Sequence, residues 1–213
     1  MKKGMLLVAL LLGAIITQAQ SVLVKFTTNQ GNFTVMLYDD TPKYRDMFLA
    51  EIRKGTYTNA LFNRVIKDFV IQGGVLDDTT LLYEKQHPEL GAPRFPAEIK
   101  SNRYHKRGTL GAGRDDNPEK AAYFNQIYFV TGKKYTPAQL AELEKKKGVV
   151  IPEEHKKVYE SIGGIPRLDG DYTVFGEITK GYEVVEKISG QPTDKNDVPV
   201  TPVIFSVTVL KKK

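Results

Sequence analysis

Arg64 and Gln72 stand out as polar exceptions in two apolar, β-forming runs, Phe62-Asn63-Arg64-Val65-Ile66 and Phe69-Val70-Ile71-Gln72-Gly73-Gly74. An arginine is always charged and presents several rigidly spaced N–H donors with no acceptor, so on a strand it offers a fixed donor array. The same residue at a sheet edge serves equally well as a solvated charge, with Gln72 as a strand-end polar group. Position alone leaves both readings open.

Other chemistries find less support. The chain has no cysteine, so it has neither a thiol nucleophile nor a disulfide, and no serine sits in a Gly-x-Ser-x-Gly elbow. His87, His105 and His155 are far apart, lie beside Pro or Lys in segments that read as exposed, and form no zinc spacing. Gly108, Gly111 and Gly113 lack the Gly-Lys-Ser/Thr ending of a phosphate loop. Asp77-Asp78, Asp115-Asp116 and the acids of 194–197 fall in turn-like contexts and read as solvated loop residues. The expectation is a function that needs no cofactor and no metal.

The elements that must hold Arg64 and Gln72 are legible as short strands. β-rich runs at Val22–Thr28 and Asn32–Tyr38 flank Asn29-Gln30-Gly31, whose glycine can take the positive φ of a hairpin loop. Further runs follow at Leu61–Ile66, Phe69–Gln72, Gly108–Ala112, Ile127–Val130, Thr173–Ile178 and Val203–Leu210. About eight short strands with turn residues between most of them suggest an antiparallel barrel or sandwich. Thr41 as N-cap, Pro42, and apolar Tyr44, Met47, Phe48 and Ile52 up to Gly55 predict a helix over one face, and Tyr182–Ile188 a second. At 131–166, Thr136-Pro137 through Gly148 and Pro152 through Gly163-Gly164 predict an inserted, charge-rich helical hairpin, read as a solvated excursion rather than a domain.

Lys2 and Lys3, an apolar run from Met5 to Ile16, and Thr17-Gln18-Ala19 predict a signal peptide over 1–19, since the run is well short of the roughly 20 residues of a spanning helix. The domain then covers 20–213, and the mature chain is expected to begin near Ser21, in the periplasm or outside the cell. The formal charge is +6, and removing the two leader lysines takes it to +4. Lys211–Lys213 have no interleaved aromatics and no recurring basic face accompanies them, so nucleic acid is not an expected partner.

Four ordered blocks carry a resemblance. Phe-x-Arg-x-Ile followed by Phe69-Val70-Ile71-Gln72-Gly73-Gly74, then Gly108-Thr109-Leu110-Gly111-Ala112-Gly113, Gln126-Ile127-Tyr128-Phe129-Val130, and Leu168-Asp169-Gly170 leading into Val174-Phe175-Gly176, are similar to the cyclophilin-type peptidyl-prolyl cis/trans isomerases. The likeness runs from about Val22 to Leu210, interrupted by the hairpin. It implies a mostly β fold, a closed eight-stranded antiparallel barrel capped by two helices, and an enzyme acting on unfolded or proline-containing polypeptides as a monomer, here during folding of exported proteins.

Residue by residue, the resemblance implies that Arg64 is the catalytic arginine and Gln72 the substrate-orienting glutamine. It makes Phe69, Val70, Tyr128 and Leu168 the proline pocket, Gln126 a further lining residue, and Gly113 and Arg114 the backbone contacts to the peptide. Tyr172 stands where many members have histidine, and Arg167 where well-studied members have tryptophan, which implies weak cyclosporin binding. That altered rim motivates an alternative, a peptide-binding chaperone module with little isomerase activity. The hairpin, both of whose ends emerge near the groove, is expected to be either a lid or partner-binding arm, or a decoration without contact to substrate.

Overall fold

Strict alternation in the first two strands decides which side is core. In β1 (Leu23–Thr28) it buries Val24 and Phe26, and in β2 (Gly31–Leu37) Phe33, Val35 and Leu37, leaving the intervening residues outside. This is a computed structural model, and it describes residues 21–74, 77–90 and 94–210. The expected signal peptide at 1–19 lies outside them.

The remaining strands are β3 (Ala60–Ile66), β4 (Val70–Gly74), β5 (Thr109–Ala112), β6 (Gln126–Val130), β7 (Val174–Lys180) and β8 (Ile204–Val209). All pairings are antiparallel, and the order β1-β2-β7-β5-β6-β4-β3-β8 closes into a barrel, which resolves the choice between barrel and sandwich. Its interior is rich in aromatic rings. Phe26 stacks on Phe33 at 4.8 Å, Phe62 on Phe205 at 4.4 Å, and Phe129 meets Phe26 edge-on at 5.1 Å. Each such ring stabilises the fold by roughly 1.5–3 kcal/mol through burial.

Helix α1 (Pro42–Lys54) adds Tyr44 and Phe48 to that core, and its C-terminus turns on Gly55 at φ 84°. Thr41 occupies the N-cap position without capping: its hydroxyl donates to the Tyr38 carbonyl, and the Tyr44 N–H donates instead to Glu98, a carboxylate from a distant loop. Helix α5 (Tyr182–Ser189), numbered in chain order, contributes Val185 and Ile188.

Three sequence expectations change. Asp77-Asp78 open a helix, α2 (Asp77–Gln86), rather than a turn. The segment lacks an apolar stripe, with Leu82 and Tyr83 exposed, so periodicity gave no signal. His105 is fully buried and His155 nearly so. The hairpin, α3 (Pro137–Lys147) and α4 (Glu153–Ser161), is more than a solvated excursion, because Leu140, Ile151 and Tyr159 form a buried cluster of their own against Tyr104. As expected, Thr136 caps α3, here in a reciprocal box with Gln139, and Gly148 ends it in the left-handed region.

Candidate active site

The cleft is built on the outside of the barrel wall. Directly opposed residues on neighbouring strands share a face, and Arg64 pairs with Gln72, Gln72 with Tyr128, and Tyr128 with Gly111. One row therefore crosses β3, β4, β6 and β5. Uninterrupted alternation from Phe62, which is buried inside, would send Arg64 into the barrel. A register shift between Leu61 and Arg64 reverses the sense, so Val65 points in and Arg64 out. Gly111 is required for a different reason: a Cβ there would run into the Tyr128 ring, which lies over β5.

A second, smaller apolar cluster covers this outer face. Val70, Tyr128, Val130, Ile165 and Leu168 are buried together, with Phe69 and Tyr172 packed against them. That is why β6 is buried on both faces. The opening at its edge, a cleft of about 250 Å³, is lined by Arg64, Phe69, Val70, Gln72, Gly113 and Arg114. Tyr128, Arg167, Leu168 and Tyr172 complete it. Of the ten candidate residues only Gln126 is set back, and Gln72 Nε2 donates to its Oε1 at 3.4 Å.

Arg64 is held loosely at the mouth. Its Nη1 donates to Gln72 Oε1 at 3.5 Å, and its Nε lies 3.7 Å from Asp197 Oδ2, a residue read from sequence as a solvated loop acid. A guanidinium has five N–H groups, so these two long contacts leave donors free for a bound carbonyl or nitrogen. Arg167 sits 4.4 Å above the Phe69 ring, a cation–π contact across the pocket rim. Gly113 and Arg114 are more committed than the sequence suggests. The Gly113 N–H already donates to Gln126 O, while the Arg114 guanidinium donates to the Asp171, Asp115 and Asn117 carbonyls and stacks 4.6 Å from the Tyr172 ring.

Behind the cleft lies a polar network that sequence reading passed over. Asp169 Oδ1 accepts from the His105 backbone N–H at 2.9 Å and lies 2.8 Å from His105 Nδ1, and Oδ2 accepts from the Tyr159 hydroxyl at 2.6 Å. His105 Nε2 is 2.8 Å from the Tyr128 hydroxyl. The tautomer that satisfies every group carries its proton on Nδ1 and accepts at Nε2 from Tyr128. Burial first, then Tyr172 and Asp169, push the Tyr128 hydroxyl well above its usual 10, so it stays a neutral donor. Tyr159 is pushed up in the same way, by burial and by the Asp169 charge.

The loop that carries Leu168 is further tied by Lys147 of α3, whose ammonium donates to Arg167 O, Asp169 O and Asp171 Oδ2 at 2.9–3.1 Å. Burial acts against ionisation of Asp171, but hydrogen bonds from Lys120 and Lys147 outweigh it and hold the carboxyl below its usual range. His105, Tyr159 and Lys147 gave no sequence signal as site residues, since their partners are 10–64 residues distant. Asp169 lay within a quoted motif but without a role.

The family described as cyclophilin type peptidyl-prolyl cis-trans isomerase/CLD matches residues 23–209. A Staphylococcus haemolyticus protein named for the same isomerase activity is 30% identical, the match covering 88% of this chain and 90% of that one. A peptidyl-prolyl cis-trans isomerase of Acinetobacter baylyi is 29% identical over 95% of this chain and 94% of its own. Among solved structures, a cyclophilin type isomerase of Cryptosporidium parvum superposes with a TM-score of 0.66 at 22% identity, covering 91% of this chain and all of that one. The same parasite protein in the presence of the dipeptide Ala-Pro gives 0.62 at 21% identity.

Proposed function

The chain belongs to the cyclophilin-type peptidyl-prolyl cis-trans isomerases, which speed rotation about the bond preceding proline, and from that premise we propose that Arg64 is the catalytic side chain of an isomerase serving exported proteins. The observation that carries the assignment is the outward row Arg64–Gln72–Tyr128 facing the apolar patch of Phe69, Val70 and Leu168 across one cleft.

Partial double-bond character gives the peptide bond a barrier of about 18–20 kcal/mol. The proline ring seats on Phe69, Val70, Tyr128 and Leu168, while the preceding residue rotates beside Arg64. As the prolyl nitrogen becomes pyramidal it gains an accepting lone pair, and a free guanidinium N–H donates to it while another holds the carbonyl side. Gln72, itself anchored on Gln126, orients the peptide. The donation to nitrogen exists mainly in the twisted state, and only such differential binding lowers the barrier. A hydrogen bond to a charged group contributes roughly 1.5–3 kcal/mol, about one to two decades in rate. The remainder comes from fixing the ring in a water-poor pocket. The parasite structure in the presence of Ala-Pro supports a dipeptide-sized Xaa-Pro element as the occupant.

A protease-coupled assay on a short Ala-Pro peptide with wild type and Arg64→Ala tests this. Loss in the variant supports the role, and equal rates reject it. Export rests on Lys2, Lys3 and the apolar run to Ile16. N-terminal sequencing of the chain recovered outside the cytoplasm is expected to begin near Ser21, and an intact Met1 on all of it rejects cleavage. A monomer is the expected state, which sedimentation checks.

A further inference from the structure

Next to the cleft lies a second hollow of about 250 Å³, between the neck of the hairpin and the exposed side of α3. Arg167 belongs to both. In the hollow, Lys133, Lys146 and Arg167 supply three cations, Glu142 is the one acid, and the partly buried Tyr135 and Leu143 form an apolar side. Among the described residues, none of the three cations has a carboxylate within ion-pair distance. This contrasts with Lys147 and Lys156 of the same hairpin, both of which are paired. The Arg167 charge reaches into the hollow: burial raises the Tyr135 hydroxyl, and Arg167 draws it back down.

We propose that this hollow is an extended substrate subsite, contributed by the inserted hairpin, that takes an acidic side chain of the polypeptide a short distance from the proline. The inference rests on the cleft being the Xaa-Pro site. Arg167 then does two things at once. Its guanidinium lies over Phe69 at the rim of the proline pocket and also adds its charge to the lining of the hollow beside the hairpin. A peptide leaving the cleft past Arg167 runs between Lys133 and Lys146, where a glutamate or aspartate finds unpaired donors and a lysine meets like charge. The chemistry selects clients with acidic residues flanking Xaa-Pro, and the selection weakens with salt because these side chains are exposed.

The test uses fluorescent Ala-Pro peptides carrying one Glu or one Lys, walked outward from the Ala-Pro pair on either side, with binding read by anisotropy and turnover by the protease-coupled assay. At low ionic strength the best-placed Glu peptide is expected to bind about three- to tenfold tighter than its Lys counterpart, a gap that closes near 1 M salt. The double variant Lys133→Glu/Lys146→Glu is expected to remove or invert that preference, with turnover of an uncharged Ala-Pro peptide reporting an intact barrel. Lys145→Glu/Lys157→Glu makes the same charge change outside the hollow and is expected to keep the preference.

Equal binding of Glu and Lys peptides overturns the subsite, as does a preference that survives Lys133→Glu/Lys146→Glu or disappears equally in the outside pair. A chain that turns over the uncharged peptide without charge preference loses only the subsite. A chain that prefers acidic peptides yet turns over none keeps the subsite and loses the catalytic assignment of Arg64.

Discussion

The strand wall and the loop wall of the cleft are positioned by different means. On the strand wall, Arg64, Gln72 and Tyr128 are neighbours by ladder register, so backbone hydrogen bonds of the barrel set their spacing. On the loop wall, Arg167, Leu168 and Tyr172 sit in a 3-10 turn and its exit, where no ladder runs. Their place comes from Asp169 gripping His105 and Tyr159, from Lys147 on three oxygens, and from Arg114. The first wall inherits the stability of the barrel. The second depends on a few side-chain bonds, several of them from Tyr159 and Lys147 of the inserted hairpin, so the hairpin braces the loop that carries Leu168.

That contrast predicts opposite signatures for damage to each wall. Arg64→Ala is expected to lower kcat/KM by about 10- to 100-fold with an unchanged unfolding midpoint, since the side chain is half exposed and bonds only weakly within the protein. A loss of stability as large as the loss of rate would erase the distinction. Deleting 134–162 is expected to leave a folded barrel, because the Gly164 N–H already donates to Lys133 O at 3.0 Å and the cut ends are adjacent. Turnover of an Ala-Pro peptide is then expected to drop on the order of tenfold, as the loop loses Tyr159 and Lys147. Full activity after that deletion, with both short peptides and an unfolded protein, would return the hairpin to decoration.

Asp169→Asn sharpens the point within a single residue. It removes one charge and leaves His105 or Tyr159 without its acceptor, which costs about 1–3 kcal/mol in urea unfolding, accompanied by a several-fold fall in kcat/KM. The smallest expected effect is with pH. Burial holds the His155 imidazole below its ordinary 6.5, so the unfolded chain takes up a proton that the folded one resists. Stability is complete above about 6.5 and declines as pH falls through the lower folded value. His155 stacks on Tyr104 at 3.6 Å beside the hairpin core, and melting followed from pH 7.5 to 5 is expected to show the decline in wild type but not in His155→Phe.

Strands and capping helices were legible because they depend on local pattern: Val24, Phe26, Phe33 and Val35 alternate, and α1 ends on Gly55 where a left-handed residue is needed. The hairpin helices announced themselves through Thr136-Pro137 and Gly148. Helix α2 did not, since it has no apolar stripe for periodicity to find. The histidines misled for a related reason. The adjacent Lys106 made His105 read as exposed, but its ring is enclosed by Asp169 and Tyr128, which arrive from elsewhere in the chain.

The family resemblance carried by four local motifs implied the inventory of this cleft, and Arg64, Phe69, Val70, Gln72, Gly113, Tyr128 and Leu168 all line it. Tertiary structure decided which way they face and what holds them. A register shift of one position beside Leu61 turns Arg64 outward, although alternation from Phe62 points it into the core. Asp197 reaches Arg64, Arg167 crosses Phe69, and Tyr159 braces Asp169 only once the barrel has closed. Local sequence encodes the strand and the turn, while side-chain partnership across the barrel wall is a property of register and closure, which no local pattern carries.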